Sequence, residues 1–111
     1  MDISSREQNA IKVLTFTGKL DTNTVAEAEA QIDTHLATGT RRLIINFEQL
    51  DYISSAGLRL LLVTAKRLKK IGGAMRVCGL NPTVQEVFDI SGFGTILSVV
   101  DSEQEALEAL V

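Results

Sequence analysis

The stretch Leu43-Ile44-Ile45-Asn46-Phe47-Glu48-Gln49-Leu50-Asp51-Tyr52-Ile53-Ser54-Ser55-Ala56-Gly57-Leu58 decides the fold. Leu43 to Phe47 is apolar on both faces of the pleat apart from Asn46, the pattern of a central, doubly covered strand. Beyond it, Leu58, Leu61, Leu62, Ala65 and Leu68 recur at the i, i+3, i+4 spacing of an amphipathic helix. Ser54 and Ser55 therefore lie at or just before a helix N-terminus, where free backbone N–H groups and the positive end of the dipole favour an anion. A phosphate on either hydroxyl would be held there at modest cost and would change the local charge by about two units. Serine is also a preferred N-cap. The two roles are compatible, since one serine can cap while its neighbour carries the modification.

Outward from this segment the chain alternates strands and helices. Ile3 to Gln8 reads as a first strand and Asn9-Ala10 as a turn. Ile11, Val13, Leu14 and Phe16 make a second strand stopping at Gly18, so the pair forms a hairpin. Thr22 or Asn23 can cap a helix running to about Ala37, with Val25, Ala28, Ile32 and Leu36 as its apolar line and Gly39 ending it. The helix after the serines runs from about Ala56 to Ile71 and is closed by Gly72-Gly73. Its polar face carries Arg59, Lys66, Arg67, Lys69 and Lys70; the last four complement the C-terminal end of the dipole. Arg59 stands apart, one turn after Ser55, within reach of a partner or a phosphate. Ala74 to Leu80 is the next strand. Asn81 and Pro82 open a helix through Ile90, with Val84, Val87 and Phe88 inward. Thr95 to Val100 reads as a last strand, and Ser102-Glu103-Gln104-Glu105 has the capping-box pattern of a last helix, with Ala106, Leu107 and Leu110 inward. The expected fold class is α/β, in the order ββαβαβαβα: one mixed, mostly parallel sheet with helices packed mainly on one side.

With 111 residues the chain fits one domain and one core. Apolar residues at 45% and charged residues at 23% are the balance of a globular protein rather than a disordered one. A net charge of −3 argues against nucleic acid as a partner. Leu60-Leu61-Leu62-Val63, the longest apolar run, is too short to cross a bilayer, and the first residues lack the basic and apolar regions of a signal peptide. A cytoplasmic location is the resulting expectation. One cysteine, Cys78, rules out an intrachain disulfide and fits a buried spacer in a strand. One histidine, His35, is expected on the solvated surface, and no second His or Cys near it supports a transition-metal site. A monomer is the default, since no large apolar stripe is unaccounted for.

Enzyme chemistry finds little support. Gly72-Gly73 and Ser91-Gly92-Phe93-Gly94 follow helices instead of joining a strand to one, and no Gly-Lys-Ser or Gly-Lys-Thr occurs. A serine hydrolase needs a base beside its nucleophile, and the lone His has no motif around it. Asp21, Asp51 and Glu48 are the carboxylates able to gather near the serines; loop solvation and capping account for them without catalysis. No cofactor and no metal is expected.

Four segments, in this order, carry a resemblance over essentially the whole chain: Thr17-Gly18-Lys19-Leu20-Asp21; Leu50-Asp51-Tyr52-Ile53-Ser54-Ser55-Ala56-Gly57-Leu58; Ile71-Gly72-Gly73; and Val87-Phe88-Asp89-Ile90-Ser91-Gly92. Together they resemble the bacterial STAS-domain anti-sigma factor antagonists, which implies a single STAS domain over residues 1–111. The resemblance implies a partner that is both an anti-sigma factor and a serine kinase with a Bergerat-type ATP site. The unmodified antagonist captures that kinase and frees the sigma factor; phosphorylation of one serine ends the capture, and a PPM-type phosphatase restores it. The family serine stands two positions before the glycine of an Asp-Ser-Ser/Thr-Gly pattern, which here is Ser55, with Gly57 as the glycine and Ala56 in place of the second hydroxyl. Ser54 occupies the position of the family aspartate, removing a carboxylate and leaving Ser54 as a secondary acceptor. Asp21, Ser54, Ser55, Ala56, Gly57 and Arg59 are the expected docking residues, with Asp21 beside Ser55. The competing readings are a STAS scaffolding domain acting in trans, whose serines only cap the helix, and a small-molecule sensor or weak nucleotide-binding domain.

Overall fold

The computed structural model describes residues 1–111, in the order β1 (Asp2–Gln8), β2 (Ile11–Leu20), α1 (Val25–Ala37), β3 (Arg42–Ile53), α2 (Ser55–Lys70), β4 (Ala74–Cys78), α3 (Pro82–Ser91), α4 (Phe93–Ile96), β5 (Val99–Val100) and α5 (Glu103–Leu110). The five strands form one sheet in sequential order, with β1 antiparallel to β2 and every other neighbouring pair parallel. Crossovers of one hand between strands laid down in sequential order leave their helices on the same face. That face holds the larger core, 20 buried residues that include Leu14, Phe16, Ile32, Ile45, Phe47, Leu61 and Phe88. Phe16 and Phe47 meet edge to face there, ring centroids 5.5 Å apart. The other pleat face of β2, β3 and β4 offers Ile11, Val13, Ile44 and Cys78, which α5 covers with Ala106, Leu107 and Leu110.

The expected order holds, with differences in extent that have local causes. β2 continues past Gly18 to Leu20 and β3 continues past Phe47 to Ile53, because the two strands stay paired, ending with Leu20 opposite Ile53. The pairing absorbs two irregularities: Thr15 to Thr17 lies opposite Asn46 to Gln49, and Gly18 to Lys19 opposite Leu50 to Tyr52. β3 thus carries an extra residue at each of two bulges. Each bulge breaks the period-two alternation, so the half of β3 after Phe47 looks like a loop in sequence.

α1 is capped at Thr24, rather than Thr22 or Asn23, and the Thr24 side chain makes no cap hydrogen bond. Its hydroxyl instead donates to the Lys19 carbonyl at 2.8 Å and accepts from the Asp21 N–H at 2.9 Å, closing the β2–α1 loop. β4 ends at Cys78, not Leu80. The expected last strand over Thr95–Val100 is only Val99–Val100; Gly92, at φ +74°, ends α3, and the chain then forms the extra helical turn α4. Asn81 and Ser102 cap as their sequences suggest, accepting from the Val84 N–H at 2.8 Å and the Glu105 N–H at 3.2 Å.

Asn46, the polar exception in the central strand, is buried on the α5 face. Its Nδ2 donates to Glu103 Oε1 at 3.0 Å and its Oδ1 accepts from the Glu48 N–H at 2.8 Å. Arg6 of β1 also pairs with Glu103. The start of α5 is thereby fastened to the sheet by an amide and a guanidinium. Cys78 is fully buried, as expected of a spacer, and burial, aided by the charges of Glu103 and Glu48, pushes its thiol up to about 12. His35 is half-buried rather than fully solvated, and desolvation followed by the charge of Lys12 lowers its pKa.

Candidate functional site

Where β2 and β3 end together, two turns leave the sheet side by side. One carries Asp21 into α1; the other carries Ser54 and Ser55 into α2. A single backbone hydrogen bond ties them, from the Ser54 N–H to the Leu20 carbonyl at 2.9 Å. Ser54, in extended conformation, is the N-cap of α2; its Oγ accepts from the Gly57 N–H at 3.3 Å and its carbonyl from the Leu58 N–H at 3.0 Å. Ser55 is the first residue of the helix, exposed, with its hydroxyl in no protein hydrogen bond. Helix-end position alone leaves the two serines interchangeable, and the resemblance points to Ser55 as the acceptor; the structure assigns the cap to Ser54.

Gly57 explains how α2 reaches the sheet so closely at its first turn. A Cβ there would lie 2.8 Å from Ile53 Cγ1, 2.9 Å from Leu20 Cγ and 3.0 Å from the Leu20 carbonyl oxygen. Any side chain would push the helix N-terminus off the strand ends and break the Ser54–Leu20 geometry. Of the six expected docking residues, Ser55 and Arg59 are exposed, Asp21, Ser54 and Ala56 are half-buried, and Gly57 is buried, so its part is to bring the helix close rather than to touch a ligand.

The Asp21 carboxylate turns back into its own loop, Oδ1 accepting from the Asn23 N–H at 2.9 Å. It stands one residue after Leu20, which binds Ser54, but it hydrogen-bonds neither serine. Glu48 and Asp51 do not join it. Glu48 lies against Gly79 and is bound through its N–H to Asn46, and Asp51 is exposed along β3. No group of three His, Cys, Asp or Glu side chains is placed to hold a metal ion.

Ser55 opens onto a cleft of about 260 Å³ lined by Ser55, Leu58, Arg59 and Leu62 of α2, with Ser91 and Phe93 from the α3–α4 junction. Ser91 and Phe93 escaped the site reading, although Ser91 falls within a recognisable segment. No sequence spacing singles them out: Ser91 is the last residue of α3 and Phe93 the first of α4, and packing brings both against α2.

Comparison with known proteins agrees with this architecture. Residues 2–106 match the family model for the STAS domain. The anti-sigma factor antagonist BtrV of Bordetella bronchiseptica is 35% identical over 109 residues, covering 98% of this chain and 94% of its own. An anti-sigma factor antagonist from Mycobacterium paratuberculosis superposes with a TM-score of 0.91 at 20% identity, over 98% of this chain and 92% of that one. The Bacillus cell-fate determinant SpoIIAA, solved in its phosphorylated form, is 27% identical, with a TM-score of 0.76 over 99% of this chain and all of its own. The chain belongs to the STAS-domain anti-sigma factor antagonist family. No helix is long and apolar enough to cross a membrane.

Proposed function

We propose that this chain is an anti-sigma factor antagonist controlled by phosphorylation of Ser55. One observation carries the reading: of two adjacent serines at the mouth of α2, Ser54 is consumed as the N-cap while Ser55 stands exposed on the first turn with a free hydroxyl. The unmodified surface around Asp21, Ser54, Ser55, Ala56 and Arg59 docks on an anti-sigma factor that is also a serine kinase of the Bergerat type, and this capture releases the sigma factor. The module binds and is modified; it is not itself an enzyme.

The chemistry of the cycle balances simply. The γ-phosphoryl group of kinase-bound ATP moves to Ser55 Oγ, the hydroxyl proton leaves with the solvent or a kinase base, and ADP departs. A PPM-type phosphatase then uses water to return the serine and inorganic phosphate. The product carries a charge of about −1.5 to −2 in the middle of the docking surface. An interface that loses about 3 kcal/mol to that charge weakens about a hundredfold, which is sufficient for a switch.

The test is capture from the source lysate by wild type beside Ser55→Asp and Ser55→Ala, with partners identified by mass spectrometry. The expected result is a kinase of the stated type with wild type and Ser55→Ala, lost with Ser55→Asp, and phosphate incorporation blocked in Ser55→Ala. Identical partners for all three would instead leave Ser55 as a surface residue of a scaffolding domain.

A further inference from the structure

Arg59 is the only cation in the first half of α2. The ion pairs of the molecule join Arg6 to Glu103, Lys12 to Glu7 and Arg67 to Asp33, and its side-chain hydrogen bonds likewise leave the Arg59 guanidinium unengaged. It sits on a ridge between two clefts. One, of about 200 Å³, lies between α1 and α2 and includes Val25, Glu29 and Val63; the other is the cleft that Ser55 opens onto. A guanidinium on such a ridge has two directions to turn and no bond holding it in either.

Helix geometry favours the direction of Ser55. Residues four apart lie on one face, and Cα–Cβ bonds tilt toward the helix N-terminus, so Arg59 leans back over the turn that carries Ser55. An acidic group four residues N-terminal to a basic one is also the favourable order along the dipole. Arginine presents a planar fork that matches phosphoryl oxygens in a bidentate manner.

Building on the reading of Ser55 as the phosphate acceptor, we propose that Arg59 is the intramolecular receptor of that phosphate, closing over the Ser55 cleft and leaving the docking surface when Ser55 is modified. The switch then has two parts. The surface gains an anion, and it loses the one cation that the first half of α2 presents to a partner. The phosphate–guanidinium pair also lies across the apolar wall formed by Leu58, Leu62 and Phe93.

The experiment uses the full chain with phosphoserine installed at position 55 during translation, as wild type, Arg59→Gln and Arg59→Lys, titrated by phosphorus NMR. The second ionisation of phosphoserine ordinarily lies at about 6. A nearby cation favours the dianion and lowers that value, while the helix N-terminus acts equally in all three proteins. Wild type is expected to titrate about half a unit or more below Arg59→Gln, roughly a threefold difference in proton affinity, with Arg59→Lys between them. The gap should shrink in 1 M salt. Equal values for wild type and Arg59→Gln would overturn the pairing. Undiminished capture of the kinase by the phosphorylated wild type would instead overturn the switch while leaving a measured pairing intact, so the two failures are distinct.

Discussion

The Leu20 carbonyl accepts the Ser54 N–H at 2.9 Å, joining the last residue of β2 to the cap of α2. Asp21 follows the first of these residues and Ser55 the second. The two turns are therefore one rigid unit, pinned on the sheet side by the pairing of Leu20 with Ile53 and on the helix side by the close approach of Gly57. The surface proposed to meet a partner is built here from strand ends, not from free loops.

Separation of the two serine roles is measurable without any partner. Ser54→Ala removes the side-chain acceptor for the Gly57 N–H and should lose about 1 kcal/mol of stability. Ser55→Ala removes a hydroxyl with no protein hydrogen bond and should stay within about 0.5 kcal/mol of wild type. Urea denaturation of both variants checks the pair; equal losses would contradict the assignment of the cap.

Gly57→Ala places a methyl group against Ile53, Leu20 and the Leu20 backbone oxygen. A cost of about 1–3 kcal/mol is expected, as for an overpacked core. Hydrogen exchange at the Ser54 amide should accelerate in this variant more than exchange in β4, because the strain falls on the Leu20–Ser54 bond.

Asn46→Asp replaces the amide that donates to Glu103 with a second carboxylate beside it. Destabilisation should be about 1–3 kcal/mol or more at pH 7, because like charges meet in a buried site. The loss should narrow as the pH falls from 7 toward about 4, because the neighbouring charge and burial raise the pKa of the introduced carboxyl in the fold and its protonation removes the repulsion. Denaturation at the two pH values tests it.

The raised thiol of Cys78 carries a pH dependence with a definite sign. The folded chain holds the thiol protonated up to about 12, while the unfolded chain releases its proton near 9. The contribution to stability is thus whole below about 9 and is lost progressively as the pH rises toward about 12. Denaturation midpoints should fall faster above pH 9 in wild type than in Cys78→Ala, and iodoacetamide should label native Cys78 only through unfolding. His35 has the opposite slope: its lowered pKa favours the neutral ring in the fold, so its contribution is present above about 6.5 and lost as the pH falls below it.

Ala10→Gly should stabilise. Asn9 and Ala10 link β1 to β2 as a two-residue turn at φ 53° and 65°, a conformation that an alanine adopts at a cost. A gain of about 0.5–1 kcal/mol is expected, read from the thermal midpoint.

Legibility in the sequence followed packing. Helices with strong caps and a single apolar stripe, α3 and α5 above all, were readable almost to the residue because Asn81, Pro82 and Ser102 are local signals. β3 was only half readable: Leu43 to Phe47 declares a buried strand, but Leu50 and Ile53 recur at intervals of three and resemble a loop. Thr95 to Val100 misled for the converse reason. Its β-branched, apolar composition suits a strand, yet Leu97 enters the core from a helical turn and Ser98 takes a positive φ of 54°. At the site, Ser54 and Ser55 were visible as a pair and the resemblance pointed to Ser55 as the acceptor, but assigning the cap to Ser54 required the Gly57 N–H. Ser91 and Phe93 came to the cleft through tertiary packing alone, with no sequence spacing to announce them.

The two bulges of β3 impose an arithmetic on the length of this chain. Between Phe47 and Ile53 the core-facing residues fall three apart, at Phe47, Leu50 and Ile53, so each bulge consumes one position. Deleting one residue at a bulge removes that bulge and returns the core-facing residues to intervals of two, so Ile53 and the serine turn keep their face. A single deletion in the regular pairing of Lys12 to Thr15 with Leu43 to Asn46 instead moves the apolar set of β3 to the wrong side. Length variation is therefore expected to be tolerated at the two bulges, one residue at a time, and rejected in the regular half of the strand.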